Sequence, residues 1–105
     1  MSRGITVSFE VRDMRIMKDT IKEMGLKFDE VTQEQIQIQR FRRPIVISSA
    51  GEGSISFDEE DRKTVCDIRK NYGVNYYRDR AIREGMDVEV KKQANGEVKI
   101  ELFHG

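Results

Sequence analysis

Between Ile5 and Gly25 the spacing of apolar residues changes once, and that change leaves few folds open. Ile5, Val7, Phe9 and Val11 alternate with Thr6, Ser8 and Glu10, the period of a half-buried strand. Met14, Met17, Ile21 and Met24 then recur at intervals of three and four, which place them on one helical face. Asp13 stands between the two patterns as a carboxylate N-cap, and Gly25 closes the second as a left-handed C-cap. A strand that passes at once into an amphipathic helix must bury both apolar faces against one core.

The rest of the chain extends the pattern. Leu26, Phe28 and Val31 predict an extended return. "EQIQIQRF" places Ile36 and Ile38 inward and Gln35, Gln37 and Gln39 outward. Pro44 separates it from "IVISS", "AGEG" reads as a turn, and "SISF" alternates again. The acidic "DEED" at 58–61 suits the positive end of a helix, and that helix runs on to Gly85. "MDVEVKKQ" and "VKIELF" close the chain as a hairpin around Asn95-Gly96, a type I′ turn. The expectation is one domain over residues 1–105, an α+β fold with a mainly antiparallel sheet and two helices packed on it, in the order β-α-β-β-β-α-β-β. Its halves are loosely similar, with Gly25 and Gly85 in equivalent places.

Composition narrows the function classes. Charged residues make up 36% and apolar ones 37%, so the core must be compact or completed by a second subunit. An unprotected sheet edge makes a homodimer the natural second subunit. There is no apolar run of the roughly 18 residues that would span a membrane, and no secretory segment at the start. Cys66 is the sole cysteine, which excludes an intramolecular disulfide and a paired-cysteine metal site and points to a reducing, cytoplasmic setting. It reads as a small buried hydrophobe.

Catalysis finds little footing. His104 is the sole histidine and stands one residue from the C-terminus, where chains fray, so any Ser-His-Asp or Cys-His arrangement would have to recruit it from there. "AGEGS" at 50–54 lacks the Lys-Ser/Thr of a phosphate loop, and "DEED" lacks calcium-loop spacing. No enzyme activity, metal or cofactor is expected.

A charge asymmetry says more. The 19 basic and 19 acidic residues cancel overall, yet residues 62–83 hold seven bases and two acids. Within that helix Val65, Ile68 and Tyr72 share one stripe. Gly73 predicts a small kink or a close contact, after which Val74, Tyr77 and Ala81 form a second inward stripe. On this reading Tyr72 and Tyr77 are core residues with hydroxyls at the rim. Tyr76 then falls outward beside Arg69, Arg80 and Arg83, an edge able to grip phosphates or stack on bases. "RFRRP" adds a second basic spot, with Phe41 between Arg40, Arg42 and Arg43. The expected function is a non-catalytic accessory or binding protein working through residues 69–83 and Arg40–Arg43. A protein is the first partner class and a nucleic acid (RNA or single-stranded DNA) the second.

Two stretches also carry a family resemblance. "FEVRDMRIMKDTIKEMGLKF", residues 9–28, resembles the opening of small cyanobacterial and red-algal plastid proteins, the conserved hypothetical chloroplast reading frame numbered thirty-five. Asp13, Met17, Ile21 and Gly25 stand at the strand end, helix face and helix close of that family. "NYGVNYYRDRAIREGMDVEV", residues 71–90, is similar to its second helix and following strand, matched at Tyr72, Ala81, Gly85 and Val88. The resemblance implies a small soluble accessory domain and brings no catalytic residues.

Overall fold

The computed structural model describes residues 3–92 and 98–104, the closing strand pair as backbone. The order is β1 (Gly4–Ser8), α1 (Met14–Glu23), β2 (Phe28–Thr32), β3 (Gln35–Ile38), β4 (Ile45–Ser48), β5 (Ser54–Asp58), α2 (Arg62–Arg83), β6 (Met86–Lys92) and β7 (Val98–His104). One 3₁₀ turn, Glu59–Asp61, leads into α2. This is the α+β class read from the periodicity. Four strands rather than three separate the helices, because the extended return is a strand of its own. Its register against β3 shifts between Glu30 and Thr32, which hides the alternation.

The five-stranded sheet is antiparallel in the order β1-β5-β4-β3-β2, so β1 and β2 are its edges. Alternation sends Ile36, Ile38, Ile45, Ile47, Ile55 and Phe57 to one face, where all six are buried. α1 adds Ile16, Met17 and Ile21 to that core, and α2 adds Val65, Ile68 and Tyr72. Both helices therefore cover the same face. β6 and β7 pair only with each other and pack along α2. The turn read at Asn95-Gly96 lies outside the described residues.

The helix ends follow their capping chemistry. The Asp13 carboxylate accepts from the N–H groups of Arg15 (2.9 Å) and Ile16 (3.3 Å), satisfying donors that the first turn leaves open. Gly25 and Gly85 close the two helices at φ 75° and 78°, the left-handed conformation that glycine adopts without strain. Gly53, at φ 85°, meets a stricter demand: a Cβ there would overlap the Phe9 carbonyl oxygen. That close approach lets the Phe9 N–H donate to the Gly53 carbonyl at 3.2 Å, which carries the β1–β5 pairing one residue beyond Ser8. The helices themselves are joined by Asn75, whose amide donates to buried Thr20 Oγ1 and to Glu23 Oε2, each at 3.0 Å. No helix among the described residues is long and apolar enough to cross a membrane.

The Ile21 side chain is fully buried between the sheet and α2. Ile21→Ala is expected to destabilise the fold by about 2–5 kcal/mol, the cost of lost burial plus a residual cavity. Thermal or urea unfolding measures it.

Candidate functional site

Tyr72 organises the region that the sequence singled out. Its ring is only 4% exposed, as the core stripe predicts. Its hydroxyl oxygen accepts from two successive backbone N–H groups, Arg12 at 2.9 Å and Asp13 at 3.2 Å. One side chain of α2 thus pins the loop between β1 and α1. Burial holds the Tyr72 phenol above its ordinary range, and the two donated N–H groups oppose that shift.

From Tyr72 an aromatic chain leads outward. Phe9 meets it edge-on with centroids 5.6 Å apart, and Tyr76 stacks on its other side at 5.9 Å. Tyr77 then meets Tyr76 edge-on at 5.7 Å. Cations cap the chain: the Arg69 guanidinium sits 5.3 Å from the Phe9 centroid, and Arg80 sits 6.0 Å from that of Tyr76.

The two tyrosines have exchanged the places the sequence suggested. Tyr76 packs against the core, whereas Tyr77 is 61% exposed. The reason is that α2 runs without a break from Arg62 to Arg83, so the Val65, Ile68, Tyr72 stripe continues at its own period to Tyr76. Gly73 neither kinks the helix nor meets a neighbour: nothing lies within 4 Å of where its Cβ would stand. Ala81 is buried as expected. Cys66 is exposed, not buried, because the residue beside Val65 cannot share its face.

Two recesses open along this face. One, of about 240 Å³, lies over Gly73 between Phe9, Arg69, Tyr72, Tyr76 and Tyr77. The other, of about 350 Å³, is bordered by Tyr76, by the cations Arg12, Arg80 and Arg83, and by the acids Asp13, Asp79 and Glu84. Arg12 and Tyr76 border both. Arg80 donates to the Tyr76 hydroxyl at 3.2 Å, and Arg12 approaches the same oxygen without the full geometry of a hydrogen bond. The Arg80 contact first and Arg12 second hold the Tyr76 phenol below its ordinary range, a sign of positive potential at that point.

The expected site residues therefore divide. Arg69, Tyr76, Arg80 and Arg83 come together around the two recesses, but Arg83 is engaged by Asp79 at 3.0 Å. Arg40, Arg42 and Arg43 lie elsewhere and pair with the acids of "DEED". Arg40 meets Asp61 at 2.9 Å, Arg42 meets Glu60 at 3.1 Å, and Arg43 meets buried Asp58 at 3.3 Å. Those acids thus neutralise the second basic spot as well as opening α2, and Phe41 projects almost fully exposed between them.

By contrast, among the described residues no carboxylate pairs with Arg62, Lys63, Arg69, Lys70 or Arg78. Arg12 is the site residue that sequence reasoning missed. It belongs to the β1–α1 loop, and only the contact of that loop with Tyr72 brings it to α2. Among the described residues no cluster of His, Cys, Asp and Glu could hold a metal ion.

No family profile, no curated protein and no solved structure matches this chain. The function must therefore be argued from the chain's own geometry.

Three substitutions test this account of the site. Tyr72→Phe leaves the Arg12 and Asp13 N–H groups without their acceptor and is expected to cost about 1–3 kcal/mol. Tyr76→Phe, which gives up only an exposed contact, should change stability by about 0.5 kcal/mol or less. Gly73→Ala is expected to stabilise by about 0.5–1 kcal/mol, since the helix gains propensity and the added methyl meets open space. Denaturant unfolding of the three variants checks all three figures.

Proposed function

We propose that this chain is a non-catalytic binding protein that holds an anionic partner on the outward face of α2. One observation carries the reading. Arg62 and Lys63, and two turns further on Arg69 and Lys70, are all exposed on one helix face, and among the described residues none has a carboxylate partner. Most other arginines of the chain stand beside a carboxylate, as at Arg40–Asp61 and Arg83–Asp79. Four like charges on one face, with no carboxylate partner among the described residues, repel one another and are relieved by a bound anion.

Two partner classes answer that charge, a protein with an acidic segment and a nucleic acid. The second is favoured by the aromatic chain beside the ridge. Exposed Tyr77 and the recess over Gly73 give a planar base somewhere to stack, whereas carboxylates need only the cations.

The test separates cations with no described carboxylate partner from one that has such a partner. Arg69→Gln with Lys70→Gln should leave folding within about 0.5 kcal/mol per site. It should weaken binding to heparin and to single-stranded oligonucleotide, and lower the oligonucleotide salt slope by about one per lost phosphate contact. Arg83→Gln, whose charge is already taken by Asp79, should change binding much less. Unaltered polyanion binding by the double variant would count against the reading.

A further inference from the structure

The recess over Gly73 is the least explained feature of α2. A glycine inside a helix is unfavourable relative to alanine unless the backbone or its surroundings require it. Neither requirement exists here, because Gly73 has ordinary helical geometry and empty space at its missing Cβ. What the glycine does is keep a floor bare. Around that floor stand Phe9 with Arg69 over it, Tyr76, and the exposed ring of Tyr77. The recess measures about 240 Å³. A cavity of about 150 Å³ holds benzene, so this one has room for a single heteroaromatic ring system.

The adjoining recess has the opposite character. It shares Arg12 and Tyr76 with the first and adds Arg80. Of the acids that line it, Asp13 is engaged at the start of α1 and Asp79 by Arg83 and Arg15, which leaves Glu84 as the loosely held one, 3.9 Å from Arg80. Glu10, which lines the first recess, stands 3.1 Å from Arg12, and these two glutamates and their arginine partners are all more than half exposed. Exposed pairs of this kind contribute little and give way to a more highly charged oxyanion. An aromatic seat beside a cationic seat, joined at one tyrosine, matches the two halves of a nucleotide.

Building on the proposed binding surface, we infer that the recess over Gly73 seats one unstacked base of a single-stranded nucleic acid, with the neighbouring phosphate between Arg12 and Arg80 at the Tyr76 hydroxyl. The flanking phosphates run toward Lys70 and Lys63 along the ridge. A duplex is excluded because its bases are stacked inside and cannot enter the recess. An acidic peptide would meet the ridge but leave the recess empty.

The experiment measures fluorescence anisotropy with the full chain and four labelled probes. These are a single-stranded oligonucleotide of about 12 nucleotides, the same strand without bases, a duplex of equal length, and a polyglutamate peptide. Gly73→Leu, which fills the recess at an unobstructed helix position, is the variant, and circular dichroism confirms its fold. The expected result is that the intact strand binds about ten-fold more tightly than the abasic strand, the duplex or the peptide. Gly73→Leu should remove that advantage while leaving abasic binding unchanged.

Equal affinity for intact and abasic strands would overturn the base seat and leave the anionic surface standing. So would a Gly73→Leu protein that keeps the full advantage of the intact strand. Tighter binding of the duplex or of polyglutamate would overturn the inference in favour of groove-wise or acidic-protein recognition. Failure to bind any of the four would overturn the inference together with the proposed function on which it rests.

Discussion

The hydroxyl of Tyr72 ties this molecule's fold to its surface. A phenol that accepts from two consecutive backbone N–H groups fixes a loop far more tightly than a side-chain contact would, because the peptide planes on both sides of Arg12 are held at once. The held loop includes Asp13, whose carboxylate starts α1, so the position of the first helix is set partly from the second. The same hydroxyl brings Phe9 and Arg12 alongside α2. If that link is lost, the N-cap of α1 and both recesses lose their common support.

Charge is arranged on the same logic of pairing and omission. The chain is neutral overall, with 19 residues of each sign. Its acids are not spread evenly: Asp58, Glu60 and Asp61 are absorbed by Arg43, Arg42 and Arg40, and Asp79 by Arg83 and Arg15. α2 carries only Asp67 and Asp79 as acids, and neither pairs with the cations of its first half. The positive field therefore concentrates where the helix faces outward. Screening confines it to roughly 8–10 Å at physiological salt, a range that suits contact with a partner's surface rather than long-range capture.

How much of this could be read from the sequence depended on whether the signal was local. The Asp13 and Gly25 caps, the Met17 and Ile21 face, and the alternations at Ile36–Ile38 and Ile55–Phe57 are set by neighbours a few residues away, and the structure follows them. β2 escaped as a separate strand because its register shift puts Phe28 and Val31 out of step with the alternation that marks a strand. The tyrosines were misplaced because Gly73 invited a change of phase. A helix with no packing conflict at its glycine has no reason to change phase, so Tyr76 stayed on the core stripe. Arg12 was illegible, since Tyr72 lies sixty residues further along the chain and no local pattern announces that contact. The same holds for Arg40–Asp61, where two stretches read separately turned out to answer each other.

Local rules are kept almost everywhere in this chain, and the exceptions fall together. A bare glycine in mid-helix, an exposed tyrosine, and cations two turns apart with no carboxylate partner among the described residues each carry a small cost to the fold. Scattered, they would be ordinary imperfections. All of them lie on the outward face of α2, beside a loop fixed by two donated hydrogen bonds, while the inward face of the same helix keeps Val65, Ile68 and Tyr72 buried. A sequence consistent at every other level departs from stability chiefly where a surface serves another end. On the proposed reading the inward face of α2 supplies the position and the outward face the contact, which is why a change at Tyr72 should act on the fold while a change at Gly73 acts on what the fold can hold.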